Sequence, residues 1–469
     1  MTPGKATRVE TGRITTDHRR PSKGSTIVVV IWSLAIAAVI TAALQVISFR
    51  QATIGREQLA QVQARWAARA GVEQMIAIMG YYTENPEPEN PMQMVDELEN
   101  YSVGEVLTGS WDIRHYTDGQ EWAGPMDEHG KANINLLSSM ELLNLPDMTA
   151  DVADSIIDWM DENDEVEGMG AEEEYYINRS HGYTPRNAPF RSIAEVELVA
   201  GAWPEFVRGE DWNFNNRLDP NEDDGNTTWP PDDPDGILQE GWAAMLTTYS
   251  IDGGMGMSGL PRLNLKEATS QEMMGRLDVD EAQAAALSNF AGQDNAQLAS
   301  LLIVDLADLA DTGNSSSGTA LGNSMRSSAG TSGQSQQEPS PLTDDQLRLI
   351  FQESTLATLE QRSPGKVNVN TASAAVLEDL VGFEPDLVNG IIALRENRLG
   401  GITSLVDLLE VSGMEAGMLA SMGAKLDVIS NVFTISSKGR AFSTGTEVEM
   451  VVVVDRSTLP VKILAYREQ

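Results

Sequence analysis

Between Asp211 and Glu222 the chain places oxygen-bearing residues at a spacing that suits a hard cation. Asp211, Asn213, Asn215, Arg217, Asp219 and Glu222 fall at offsets 1, 3, 5, 7, 9 and 12, the register of a calcium loop. The side chains of Asp211, Asn213 and Asn215 and the Arg217 carbonyl would supply oxygens, with Asp219 direct or through water and Glu222 bidentate. Position six is Asn216 where glycine is usual, and asparagine is the next most tolerant of a left-handed backbone. Leu218 would anchor the loop on the core. The alternative is a solvated acidic turn. A second acidic stretch, residues 147–174, has twelve carboxylates and no basic residue. Within it Asp161, Asp164, Glu172 and Glu173 form a second candidate cation site, without fixed register.

Catalytic patterns are absent. The four histidines, His18, His115, His129 and His181, are isolated, and the sequence has no HExxH, no GxSxG and no phosphate-binding P-loop. With no cysteine there is no thiol nucleophile, no disulfide and no Cys-ligated metal. Carboxylate pairs abound, as expected by chance in so acidic a chain. The chain therefore reads as a non-enzyme.

The 469 residues carry 32 basic and 70 acidic side chains, a net charge of −38 that argues against nucleic acid as a partner. The charge is unevenly placed. Residues 1–24 hold six basic and two acidic side chains, and residues 24–49 hold none. Residues 27–47 are almost continuously apolar, long enough to span a bilayer and too long for the core of a secretory signal. Basic residues before the span and acid after it orient the N-terminus to the cytoplasm. Residues 51–79 lack proline and put Leu59, Val62, Trp66 and Ala70 at helical spacing, so one helix is expected to continue past the span.

At the start of the span, Lys23-Gly24-Ser25-Thr26-Ile27 resembles a prepilin peptidase site, with cleavage after Gly24 and Ser25 as the mature N-terminus. The fifth mature position is Val29. Pilins usually have Glu there, and its absence resembles the type II secretion system protein K family of minor pseudopilins. Residues 67–73 (AARAGVE), 127–135 (DEHGKANIN) and 159–176 (WMDENDEVEGMGAEEEYY) are similar to stretches of the same family. The resemblance also implies calcium binding.

Three segments share a basic-apolar-Asn-apolar-polar opening: residues 131–135 (KANIN), 262–266 (RLNLK) and 366–370 (KVNVN). The first and third continue in parallel, with ADSIIDWMDEND matching LVNGIIALRENR. The unit is a small bundle of short helices, similar to the helix-hairpin-helix, or SAM-like, insert of the family. DNA-binding hairpins of this kind surround phosphate with Lys and Arg. Residues 366–422 instead hold three basic and eight acidic side chains. β-Branched runs at residues 432–436, 447–454 and 460–466, separated by turn residues, predict antiparallel strands.

The expected fold is α+β: a long N-terminal transmembrane and stem helix packed on an antiparallel pseudopilin sheet, interrupted by inserted all-α helix-hairpin-helix modules. The expected boundaries are a leader at 1–24, the helix at 25–79 and the first part of the body at 80–130. Helical modules follow at 131–250 (with the acidic loops), 251–311 (degenerate) and 346–425, a Ser/Gly linker at 312–345, and terminal strands at 426–469. The resemblance implies a single-pass inner-membrane protein with its bulk in the periplasm, at the tip of the secretion pseudopilus. Implied partners are minor pseudopilins I and J, the major pseudopilin and the inner-membrane platform, with the secreted cargo or the secretin beyond. The competing reading is a membrane-anchored periplasmic scaffold unrelated to a pilus.

Overall fold

A computed structural model describes residues 23–179, 181–307, 309, 339–358 and 363–469, with side chains from Thr26 onward. Leader residues 1–22 and most of the Ser/Gly-rich run lie outside the described residues. The chain divides into two compact units, residues 1–60 and 61–469.

In the first unit, residues from Lys23 belong to the helix Lys23–Glu84, here called the stem helix. Its most apolar window has a mean hydropathy of 2.7 and no buried residue, so it is long and apolar enough to cross a membrane. Ile27, Trp32, Leu44 and Phe49 are all exposed on it. In water such a surface would be costly, at about 25 cal/mol per Å² of apolar area.

In the second unit, stem-helix residues Ala68, Val72, Met75 and Met79 share a core with Ile113, Phe433, Ile435, Val452 and Val454. The last four alternate along their strands, so a single face of the sheet meets the helix. The sheet has seven strands. Its order runs Val103–Val106, Gly109–Thr117, Val432–Ala441, Glu447–Asp455 and Lys462–Glu468, with Gln120–Ala123 paired to the second and Met126–Asp127 to the third. Every pairing in it is antiparallel. The chain leaves this sheet after Asp127 and re-enters at Val432, so the helical modules are an insertion within the α+β body.

Each module is closed by a two-residue parallel bridge: Ala132–Asn133 with Leu246–Thr247, Leu263–Asn264 with Ser354–Thr355, and Val367–Asn368 with Leu426–Asp427. The shared asparagine explains the repeat. Asn133, Asn264 and Asn368 each accept from the N–H two residues on, at Asn135 (3.1 Å), Lys266 (3.0 Å) and Asn370 (2.9 Å). In the outer modules the second asparagine clamps the returning chain. Asn135 accepts from Phe190 N–H at 2.7 Å and donates to its carbonyl at 3.2 Å. Asn370 does the same with Ile402, at 2.7 and 2.9 Å. Lys266 occupies this place in the middle copy, which explains its divergence.

The middle bridge corrects two expected boundaries. The helix Asp344–Glu353 and the strand Ser354–Thr355 belong to the middle module, because Ile350 packs with Leu265, Met273, Leu287 and Phe290. That module therefore continues to Thr355 instead of ending at 311, and the third opens at Lys366 instead of 346. The first and third modules share one core, which includes Trp159, Tyr176, Phe190, Phe383, Ile391 and Leu405. Local periodicity could not reveal which helix closes which module, because closure is a long-range pairing.

Candidate metal centres

The helix Ala150–Met160 carries Asp154 and Asp158 one turn apart, so both carboxylates meet the loop that follows it. Asp154 accepts from Met169 N–H at 2.9 Å and from the Ser139 hydroxyl at 2.6 Å. Asp158 accepts from Glu167 N–H through Oδ1 at 3.0 Å, and Asp161 from Asn163 N–H through Oδ1 at 3.0 Å. Their Oδ2 atoms, and both carboxylate oxygens of Glu172, are buried without a hydrogen-bond partner. Ligand oxygens of Asp158, Asp161 and Glu172 lie within 4.8 Å of one another. At Gly170 the loop crosses so closely that a Cβ would sit 2.1 Å from Asp158 Oδ2, so a side chain there would push the Asp158 carboxylate aside.

Such a cluster is costly on its own. Each unsatisfied buried acceptor destabilises by about 1–3 kcal/mol, more when charged. Burial, reinforced by repulsion between the carboxylates, pushes Asp158 up to about 6 and Glu172 to about 7. Four orphaned oxygens with net negative charge are a donor set that fits a hard divalent cation. Asp161 and Glu172 were expected from the sequence, whereas Asp158 was not. Its spacing of three from Asp161 was a visible signal, but register in a loop with twelve carboxylates is set by the fold. Asp164 accepts from Asn187 Nδ2 at 2.9 Å, and Glu173 is exposed at the start of the helix Glu173–Ile177.

The 211–222 loop is arranged differently, because its oxygens accept mostly from its own amides. Asp211 accepts from Asn215 and Asn216 N–H at 3.0 and 2.9 Å. Glu222 accepts from Trp212 and Asp219 N–H, both at 3.1 Å. Asn213 Oδ1 accepts from Asn215 N–H, and Asn215 Oδ1 from Arg217 N–H, each at 2.8 Å. Asn216 has φ +57°, the left-handed conformation expected at position six. The loop is docked on the sheet: Asn215 donates to Glu449 at 2.8 Å, Lys438 pairs with Asp219 at 2.8 Å, and the Arg217 guanidinium donates to the Asp112 carbonyl at 3.1 Å.

Burial lifts Asp211 to about 6. Glu222 rises to about 8 through burial and then the neighbouring Asp211 charge. A cation here would relieve Asp211 and Glu222, while Lys438 already neutralises Asp219. Among the described residues, only Asp158, Asp161 and Glu172 bring three such ligands within the 4.8 Å limit.

The hairpins of the modules share a backbone feature. Gly382 has φ +98°, and the equivalent residues of the first and middle modules, Asp147 and Asp278, have φ +56° and +52°. An N–H-rich glycine turn suits phosphate. Two of the three turns instead carry a carboxylate at that place. Gly24 and Ser25 fall in the first turn of the stem helix, where their side chains lie outside the described residues.

Residues 123–209 match the family model for type II secretion system (T2SS), protein K, and residues 363–426 match the helix-hairpin-helix motif. Among solved structures, the chain is similar to one in the crystal structure of the GspK-GspI-GspJ complex from the enterotoxigenic Escherichia coli type 2 secretion system. Identity is 13%, coverage is 88% of this chain and 99% of that one, and the TM-score is 0.43. No curated protein matches the sequence. Residues 123–209, which contain the Asp158, Asp161 and Glu172 cluster, are thus the part of the chain that is similar to the type II secretion system protein K family.

Proposed function

We propose that this chain is a minor pseudopilin that initiates and caps the pseudopilus of a type II secretion system, supporting export of folded proteins across the outer membrane. The carrying observation is the protein K segment at 123–209, which continues the sheet-and-helix body of a chain whose stem helix is apolar enough to span a bilayer. The N-terminus is cytoplasmic in this reading, and the body is periplasmic. Val29 supports the tip position. Without a carboxylate at that depth, the helix lacks a group to neutralise the N-terminal amine of another subunit in a low-dielectric filament core.

In this reading, minor pseudopilins I and J and the major pseudopilin are the partners within the filament. The inner-membrane platform is the site of assembly, and the cargo or secretin is met beyond the tip. Calcium is held by Asp158, Asp161 and Glu172, and by the loop residues Asp211, Asn213, Asn215, Arg217, Asp219 and Glu222. The support is the four orphaned oxygens of the first set and the raised carboxyls of the second. The bound ion would supply positive charge that fixes the loops, with no catalytic step.

Mass spectrometry of the mature N-terminus tests the assignment. Cells containing prepilin peptidase should yield a chain starting at N-methylated Ser25, and cells lacking it should retain residues 1–24. A leader retained in both, or a cut near Phe49, would sink the pseudopilin reading in favour of an unrelated membrane-anchored scaffold.

A further inference from the structure

A cleft of about 460 Å³ opens where the hairpin turn at Thr117 and Asp118 meets the first module and residues 373–375 of the third. Its wall contains four carboxylates, Asp118, Asp147, Glu205 and Glu240, and no Lys, Arg or His. Its aromatic side is a stacked pair, Phe206 on Trp242, with ring centroids 5.7 Å apart and planes at 19°. Trp242 is fixed by donating Nε1–H to the Pro146 carbonyl at 2.8 Å, whereas Phe206 is 37% exposed.

Two cations line the adjoining cavity that shares Asp118; each donates to backbone carbonyls, and their charges offset part of the Asp118 and Glu240 charge. Lys131 donates to the Ala243 carbonyl at 2.8 Å. Arg395 donates to the Val369 and Ala372 carbonyls at 3.2 and 2.7 Å. Asp147 occupies the left-handed hairpin position that Gly382 fills in the third module, which places a carboxylate where a phosphate-binding turn presents only amide. Burial lifts Glu240 to about 7 against the pull of Lys131, with Asp118 and Asp211 adding to the rise.

The combination narrows the occupant. A small inorganic cation would meet the carboxylates and leave the ring of Phe206 uncovered. An apolar side chain would cover the ring and strand the carboxylates. A guanidinium does both, because it donates to carboxylates in a planar fork and stacks on aromatic faces. We infer that this cleft is a docking site for a partner polypeptide, which inserts an arginine side chain against Phe206 and among the four carboxylates. The inference rests on the cleft itself and does not require the pseudopilin assignment.

The test uses the full chain in detergent micelles, titrated calorimetrically with the peptide N-acetyl-Gly-Arg-Gly-amide. The control peptide carries citrulline, which keeps the shape and removes the charge. The arginine peptide should bind about tenfold tighter, a lead of about 1.4 kcal/mol. Combining Glu205→Gln with Phe206→Ala should erase that lead. Asp147→Asn, which keeps a residue tolerant of positive φ, should reduce it, and this variant decides the matter if the double variant fails to fold. Equal binding of the two peptides, an unchanged lead in Asp147→Asn, or no heat from either peptide up to about 10 mM would overturn the proposal.

Discussion

At equivalent places at the ends of the helices Ala150–Met160 and Pro385–Asn397, the first module has Asp158 and Asp161 and the third has Ala393 and Glu396, the latter beside Arg395. The surrounding frames are the same. Asn135 and Asn370 hold the returning chain through matching pairs of hydrogen bonds, and both modules contribute to one core. In the third module the charge partners are side chains of the protein: Arg395 caps two backbone carbonyls, and Asp407 pairs with Arg398 of the same module and Arg348 of the middle one. In the first, four carboxylate oxygens remain without a donor. A duplicated unit thus keeps its backbone clamp while its counter-charge differs, supplied by arginine side chains in the third module and, in the calcium reading proposed above, by an ion in the first. Cation-linked stability should accordingly reside in the first module and be absent from the third.

The largest expected effect tests the shared frame. Replacing Asn135 or Asn370 by Ala strands an N–H and a carbonyl on the returning chain, a loss of about 2–4 kcal/mol. Urea midpoints should fall similarly for both; a fall in only one would break the equivalence of the modules. Next comes the ion. Calcium at about a hundred times its dissociation constant should stabilise by about 2.7 kcal/mol, and a chelator should remove that gain. Combining Asp158→Asn with Glu172→Gln should remove most of the response, leaving only the part contributed by the 211–222 loop. Hydrogen exchange should slow on calcium addition across residues 150–177 and remain unchanged across 385–398. Equal protection of both segments would defeat the contrast.

Glu222→Gln should have a smaller effect, about 1 kcal/mol, because both Glu222 oxygens accept amides and a carboxamide can replace only one of them. Calcium melting curves should therefore retain most of their shift in this variant. The smallest effect concerns pH in the third module. Burial would raise Asp407, but hydrogen bonds from the Thr403 hydroxyl and N–H, then Arg348 and the charge of Arg398, hold it below the usual carboxylate range. A depressed carboxyl stabilises the fold above its unfolded pKa, and the gain is lost as pH falls through the folded value. Melting temperature should decline on acidification, with a slope that Asp407→Asn flattens by an amount on the order of 1 kcal/mol. An unaltered slope would remove Asp407 from the internal pairing.

Sequence alone determined the apolar span, the terminal strands, the three repeat openings and the offsets of the 211–222 loop. Each is carried by composition or by spacing within a few residues, where side-chain periodicity and turn preference act. The asparagines of the openings were legible for the same reason, since their bonds to the N–H two residues on are local. Only tertiary structure decided that Asp158 joins Asp161 and Glu172, that Thr355 closes the middle module, and that the strand Gly109–Thr117 lies beside Val432–Ala441. These are pairings between segments distant in sequence. They are selected by which buried oxygens and apolar faces can be satisfied together, and that is a property of the folded whole.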